Sequence, residues 1–477
     1  MIKLPSSPFI DGGFVGGQAD SPLTLINPAT EEEWASVELA SASQVDSAVR
    51  SAQDVFHREW RGLAPGARAQ ILFAVARAIR EESEALAKFE CQNIGKPISD
   101  ARDEIALGAT VFEYYAGAID KFCGETIPVA RGGFDFTWHQ PLGVVAAITP
   151  WNFPFPIACW KVAPALAAGN CVVLKPANLS PLTALALGQL ATQAGLPAGV
   201  LQIVPGSGSQ VGAQLTGHEL IRKVSFTGST EVGRGIMREA ATDLKRISLE
   251  LGGKSPNIIF ADADLKRAAA ESPISVFANT GQDCCARSRV FVERSVFDEV
   301  VAMFVSSAKE LRVGDPQDDS TQLGPLVSAA QRDTVEAYVN DAKQQGRELA
   351  LGGEGLGDRG YFWGPTVILN PEYSDRCWQE EIFGPVVCLT PFDNEEDMLA
   401  EVNRTPYGLS GSIWTQDISR ALRVARQVEA GVLSINSHSS VHVQAPFGGF
   451  KQSGIGRDLG MHALKGYTEL QNVYINE

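Results

Sequence analysis

KVSFTGSTEVGRGIM, residues 223–237, passes from an apolar strand through a glycine turn into a helix that opens with Ser229 and Thr230. Four residues separate Gly228 from Gly233, so this is not the G-x-G-x-x-G dinucleotide fingerprint. Its physics still suits a phosphate, because N–H groups are free at a helix N-terminus and glycines let the backbone approach a pyrophosphate. An ordinary strand-to-helix turn has the same pattern, so the neighbouring sequence has to decide. It repeats the unit: GVVAAIT (143–149), NCVVLKP (170–176) and VLQIVPG (200–206) are short apolar runs, with helices expected from Ser180 and Ser229. Strand–helix repetition with fully apolar strands predicts an α/β fold, its parallel sheet covered on both faces.

Helical periodicity marks 43–56, 67–86 and 100–119 on the N-terminal side. The stretch 120–140 carries turn glycines with β-branched and aromatic residues, which predicts an extended hairpin. RISLELGG (246–253) alternates, with Ile247, Leu249 and Leu251 on one side and Ser248 and Glu250 on the other. A second α/β unit begins near 253, with strands at 257–262 and 289–294 and a helix between them running up to GQDCC. Further segments follow at 296–312, 327–345 and 395–429, and the β-prone tail 466–477 can pair with the 120–140 hairpin or with another subunit. No repeat of 20–50 residues is visible, which excludes solenoids and propellers.

Composition narrows the classes of function. The 477 residues are 44% hydrophobic and 20% charged, with 46 glycines, as in a folded soluble protein of two or three domains. A formal charge of −16 argues against nucleic acid and anionic membranes as partners. Eight scattered cysteines without a C-x-x-C pair predict a reducing compartment and no metal site. The apolar stretch 141–174 is interrupted by Lys161, Asn152, Asn170 and five prolines, so it reads as buried core and not as a bilayer span. MIKLPSSPFIDGGF lacks an apolar signal region, and a cytoplasmic location is expected.

Four blocks can carry chemistry. Lys175 stands where a strand ends, and in open α/β sheets ligands collect at such carboxyl ends. Asn152 lies between Trp151 and Phe153, where a buried amide needs a partner and an oxyanion would be one. Glu250, opposite the leucines of its strand, has the position of a solvent-facing charge, yet two glycines beside it allow close approach of a ligand. GQDCCARSR (281–289) holds Cys284 and Cys285 side by side. Adjacent cysteines rarely close a disulfide, nor do they readily place two sulfurs on one metal. The candidates are a nucleophile, a packed thiol, or one of each.

FTGSTEVG, LELGGKSPN, FANTGQDCCARSR, PWNFPF, EEIFGP (380–385) and PFGGFKQSGIGR (446–457) together resemble the NAD(P)-dependent aldehyde dehydrogenases, in that family's order and over essentially the whole chain. The resemblance implies a Rossmann-like cofactor domain (1–119 and 141–252), a catalytic domain (253–452) and an oligomerisation element (120–140 and 453–477), in a homodimer or homotetramer. It makes Cys284 the nucleophile, Asn152 the oxyanion donor, Glu250 the general base and Lys161 part of a nearby proton-relay or structural path. It assigns Lys175 and Asn178 to the adenosine ribose, Ser229 to the pyrophosphate, and Glu381 and Phe383 to the nicotinamide end. Ile148, Pro150, Trp151, Gly208, Phe226, Thr227, Gly228, Val232, Leu251 and Gly252 complete the implied cofactor site. Phe153, Ile157, Trp160, Val441 and Phe447 would line the substrate tunnel, with His438 and His442 as polar additions. The implied reaction takes a small-molecule aldehyde to its acid with NAD+ or NADP+. A coenzyme A-acylating relative and a non-catalytic protein on the same fold are the alternatives.

Several positions depart from the family pattern. Asn178 stands where many NAD-preferring members have a glutamate, so a 2′-phosphate meets no repulsion and NADP+ is expected to be tolerated or preferred. Arg287 replaces a frequent glycine, and a structural role is expected for it and for Cys285. Trp160 and Ala278 replace arginines that hold a second carboxylate in semialdehyde-specific members, which points to aromatic, aliphatic or amino-aldehydes.

Overall fold

The computed structural model describes residues 2–439 and 441–476. Five parallel strands form the centre of the first sheet, in the order Arg246–Glu250, Ile221–Thr227, Val144–Ile148, Cys171–Lys175 and Leu201–Ile203. Ile148 is in register with both Lys175 and Phe226, and Thr227 with Glu250, so the carboxyl ends of these strands lie along one edge. Helix Pro154–Ala167 is buried along its whole length, as its sequence PFPIACWKVAPALA requires. Proline at its first position is pre-set for helix and gives up no needed N–H. Lys161 is the one ionisable side chain on this helix besides a cysteine, so it has to find its partner inside the protein.

The second sheet runs Glu348–Leu351, Thr366–Leu369, Val386–Phe392, Arg289–Glu293, Pro256–Ile259, Ser410–Trp414 and Val432–Ile435, parallel except at the first pair. Both of its faces are covered. Ile258, Phe291, Ile368 and Ile413 enter one apolar cluster, while Ile259, Val290, Val367 and Trp414 enter another on the opposite face. The period of two in a strand makes that division. No helix among the described residues is long and apolar enough to cross a membrane.

Two sequence expectations change. The stretch 265–283 is not one helix: Leu265–Glu271 and Ile274–Phe277 are separate, and Asn279, Thr280 and Gly281 then turn left-handed at φ of 50°, 56° and 71°. The stretch 453–477 divides three ways. Gly454–Ile455 forms an antiparallel edge of the first sheet, helix Gly460–Gly466 packs against Pro154–Ala167, and Thr468–Ile475 pairs with Phe134–Pro141. Gly454 makes the first of these contacts feasible, since a Cβ there would stand 2.2 Å from the Leu249 carbonyl oxygen.

Asn170 joins these parts. Its amide accepts the Gly143 N–H (3.0 Å) and donates to the carbonyls of Tyr467 (2.9 Å) and Ala165 (3.2 Å), all inside the protein. Asn170→Ala strands those groups at roughly 1–3 kcal/mol each. A fall of several degrees in the thermal unfolding midpoint is expected, and an unchanged midpoint would contradict the role given to this amide.

Candidate active site

A cleft of about 950 Å³ opens at the carboxyl edge of the first sheet. The strand ends supply Ile148, Lys175, Phe226 and Thr227, and the segments that follow them supply Pro150, Trp151, Gly208, Gly228, Leu251 and Gly252. Ser229 caps helix Thr230–Ala240 by accepting the Val232 N–H at 3.4 Å, and both residues line the cleft. From the second unit come Cys284, Glu381 and Phe383. Asn178 is outside the lining, although its neighbour Ala177 is part of it.

These groups fit a dinucleotide. A Cβ at Gly208 or Gly235 would enter open space, and the Asn178 amide oxygen is buried without a partner, a place a ribose hydroxyl can fill. Burial lowers the Lys175 ammonium to about 8, and it donates to the Pro176 carbonyl at 2.9 Å. Glu381 accepts the Gly253 N–H at 2.8 Å, and burial raises its carboxyl to about 7. Phe383 is held left-handed at φ 58°, with its carbonyl accepting from the Gln331 amide at 2.8 Å and its ring edge-on to Trp151 at 5.3 Å.

Cys284 is half-buried and follows the left-handed turn. Thr280 pays for its unusual backbone with a hydroxyl donated to the Gly324 carbonyl at 2.8 Å. Gly281 is required outright, because a Cβ would lie 2.1 Å from the Gly384 oxygen. Amides fix what comes next. Asn152 Nδ2 donates to the Gln282 carbonyl at 2.9 Å, and Asn279 Nδ2 donates to the carbonyls of Asn152 and Gln282, both at 3.1 Å. The side-chain donor atoms of Asp283, Cys284 and Cys285 all lie within 4.8 Å of one another, so neighbouring cysteines do bring their sulfurs together here. The Cys285 thiol beside it and burial push the Cys284 thiol well above its usual range.

Glu250 does not face solvent. It is 3% exposed, neither carboxyl oxygen has a partner, and burial drives it well above the usual carboxylate range. It is not part of the cleft lining, although the next two residues, Leu251 and Gly252, are, and its carboxyl lies close to Gly448, where a Cβ would stand 2.7 Å from Oε1. Lys161 pairs with Asp458 at 3.0 Å and donates to Ser225 at 3.1 Å, both partners buried. Its charge reaches Glu250, as does that of Asp458, which acts the other way.

The substrate candidates separate. Ile157 lines the cleft. Trp160 stands edge-on to Phe447, centroids 5.3 Å apart, and Phe153 lies beneath the Lys96 ammonium at 4.2 Å. Val441 packs half-buried against the first core, and His442 is exposed. His438 turns away, sharing hydrogen bonds with Ser412 (2.9 Å) and Ser272 (3.4 Å), and burial lowers it to about 3. Arg287 neither meets an acid nor points outward. It is buried and donates to the carbonyls of Cys285 and His438 and to the Ser412 hydroxyl. Sequence reasoning did not find Lys96, Asn279, Gln282, Gln331 or Asp458. Of these only Asn279 and Gln282 stand inside quoted blocks, and nothing local in GKP (95–97) marks its lysine as buried.

Comparison with known proteins agrees with this geometry. The aldehyde dehydrogenase family pattern matches residues 14–473. An aldehyde dehydrogenase of Enchytraeus buchholzi is 43% identical over 471 residues, covering 98% of this chain and 95% of that protein. The NAD+ complex of an aldehyde dehydrogenase from Bacillus cereus superposes with a TM-score of 0.97 at 41% identity, covering 99% of this chain and 96% of that one. An indole-3-acetaldehyde dehydrogenase of P. syringae gives a TM-score of 0.98 at 39% identity, covering 100% and 97%. The chain belongs to the aldehyde dehydrogenase family, α/β proteins that oxidise aldehydes with a nicotinamide cofactor.

Gly253 packs so closely that a Cβ would stand 2.2 Å from the Cys284 carbonyl oxygen. Gly253→Ala therefore displaces the loop that carries Cys284. The variant is expected to stay folded by circular dichroism while losing most of its aldehyde turnover, and full turnover would show that the loop has room to spare.

Proposed function

We propose that the chain converts an aldehyde to its carboxylic acid through a thioester on Cys284. The observation that carries this reading is one cleft lined by both Cys284 and Asn152, with a buried, partnerless carboxyl on Glu250, the residue before the lining Leu251. The Cys284 thiol gives its proton to solvent, its thiolate attacks the aldehyde carbon, and the carbonyl oxygen becomes an oxyanion that Asn152 Nδ2 can receive. Bound NAD(P)+ supplies the hydride acceptor, held by Lys175, Ser229, Glu381 and Phe383. Loss of hydride from the former aldehyde carbon leaves the thioester. Glu250 takes a proton from water, whose oxygen adds to the thioester carbon, and the acid leaves as the thiol is restored.

Both acid–base groups are raised, so each carries its proton below its own pKa and becomes competent only above it. Turnover is therefore expected to rise with pH into the alkaline range, and a rate that falls as pH rises would contradict this assignment. Asn152→Ala should lower kcat by about 10²–10³, as loss of one oxyanion donor does. Cys284→Ala should abolish reduced-cofactor absorbance at every pH. Activity that survives that substitution ends the assignment.

The substrate reading is an aromatic, medium aliphatic or amino-aldehyde. It draws support from the apolar Ile157, Trp160 and Phe447, from the absence of arginine at Trp160 and Ala278, and from the indole aldehyde named for the P. syringae relative. Asn178 supports use of NADP+ as well as NAD+, since a neutral amide does not repel a 2′-phosphate. Steady-state kinetics with both cofactors tests this, and an NAD+ advantage of about a thousandfold in kcat/KM, roughly 4 kcal/mol, would refute it.

A further inference from the structure

Lys96 lies between helices Ser83–Ile94 and Ile98–Ala118, and its side chain is wholly buried. Its ammonium has three partners: the Glu104 carboxylate, the Asn152 carbonyl at 2.9 Å, and the face of the Phe153 ring at 4.2 Å. Glu104 alone would neutralise the charge. The other two contacts fall on consecutive residues of the segment that carries the oxyanion donor. The same Asn152 carbonyl accepts from Asn279, whose amide also reaches the Gln282 carbonyl. One ammonium thus closes a lattice of amides that ends two residues before Cys284.

We propose that Lys96 is a positioning residue, whose ammonium clamps the Asn152 main chain and the Phe153 ring so that the Asn152 amide meets the aldehyde oxygen. This rests on the reading of Asn152 as the oxyanion donor. The clamp is anchored in rigid structure, because Glu104 belongs to helix Ile98–Ala118, which packs along helix Pro154–Ala167. The site also tolerates removal of the charge. Burial raises the neighbouring Glu90 and Glu104 carboxyls while the Lys96 charge lowers them, so removing the lysine favours their protonated forms.

The test compares Lys96→Met, Lys96→Arg, the double variant Lys96→Met with Glu104→Gln, and Asn152→Ala. Each is assayed for kcat and KM on an aldehyde and for the rate at which iodoacetamide alkylates Cys284. Alkylation forms the S–C bond and expels iodide at a saturated carbon, so it makes no oxyanion. Lys96→Met is expected to lower kcat by about tenfold to a hundredfold, less than removal of the donor itself, with a smaller change in KM and near-normal alkylation. Lys96→Arg, which keeps a donor toward the Asn152 carbonyl, should recover part of kcat. The double variant balances the charge and should stay slow, and it carries the test if the single variant does not fold. Wild-type kcat in the double variant would mean that Lys96 only neutralises Glu104, and the proposal would fall. Parallel loss of alkylation and kcat would overturn it too, as a collapse of the loop. Normal kcat in Asn152→Ala would instead remove the oxyanion reading on which it rests.

Discussion

The carbonyl oxygen of Gln282 accepts two amide N–H groups, from Asn152 at 2.9 Å and from Asn279 at 3.1 Å. Asn152 follows the end of strand Val144–Ile148 in one sheet, and Gln282 precedes strand Arg289–Glu293 in the other. Neither sheet can place Cys284 alone. Three consecutive left-handed residues leave the loop without a regular hydrogen-bond ladder, so side chains have to replace it. Gln282 does most of this: its amide donates to the Asn279 carbonyl at 3.0 Å and accepts the Val327 N–H at 2.9 Å. The glutamine of GQ is therefore a frame for the cysteine two residues on.

Around that frame the fold suppresses charge. The carboxyls of Glu250 and Glu381, the ammonium of Lys175 and the thiol of Cys284 are all shifted toward their neutral forms, with burial as a cause in each case. The shifts act in opposite directions on acids and bases because desolvation penalises whichever form is charged. Lys161 with Asp458 is the contrasting case, a buried ion pair fixed at 3.0 Å. A pair of this kind contributes orientation more than stability, since its desolvation cost offsets much of its attraction. Its two charges act in opposite senses on the Glu250 carboxyl, which itself has no hydrogen bond to break.

Much of this was legible in the sequence. Apolar runs at 143–149, 170–176 and 223–228 predict the parallel sheet because a strand covered on both faces has no polar side to show. Lys175 and Ser229 could be placed at strand and helix ends for the same reason. Glu250 was harder. The alternation of RISLELGG puts it opposite the leucines, and alternation cannot tell solvent from a second buried layer. The break in the helix before Cys284 was illegible, because left-handed turns at Asn279 and Thr280 are stabilised by partners far away in the chain, such as Gly324. Lys96 was illegible for a related cause: besides Glu104 on the next helix, its partners Asn152 and Phe153 come from the distant turn between strand Val144–Ile148 and helix Pro154–Ala167.

The second cysteine shows how a non-reacting residue governs a reacting one. Cys285 is fixed at both main-chain groups, its N–H donated to Asp283 at 2.8 Å and its carbonyl accepting from Arg287. Arg287 is itself locked by Ser412 and by the His438 carbonyl, so the backbone after the nucleophile has little freedom. The Cys285 side chain packs into the first hydrophobic core, which keeps its sulfur beside that of Cys284. Two thiols so close cannot both ionise at low cost in a desolvated site. Arg287 therefore holds Cys285 in place through its main chain, and with it the second thiol that stands beside Cys284.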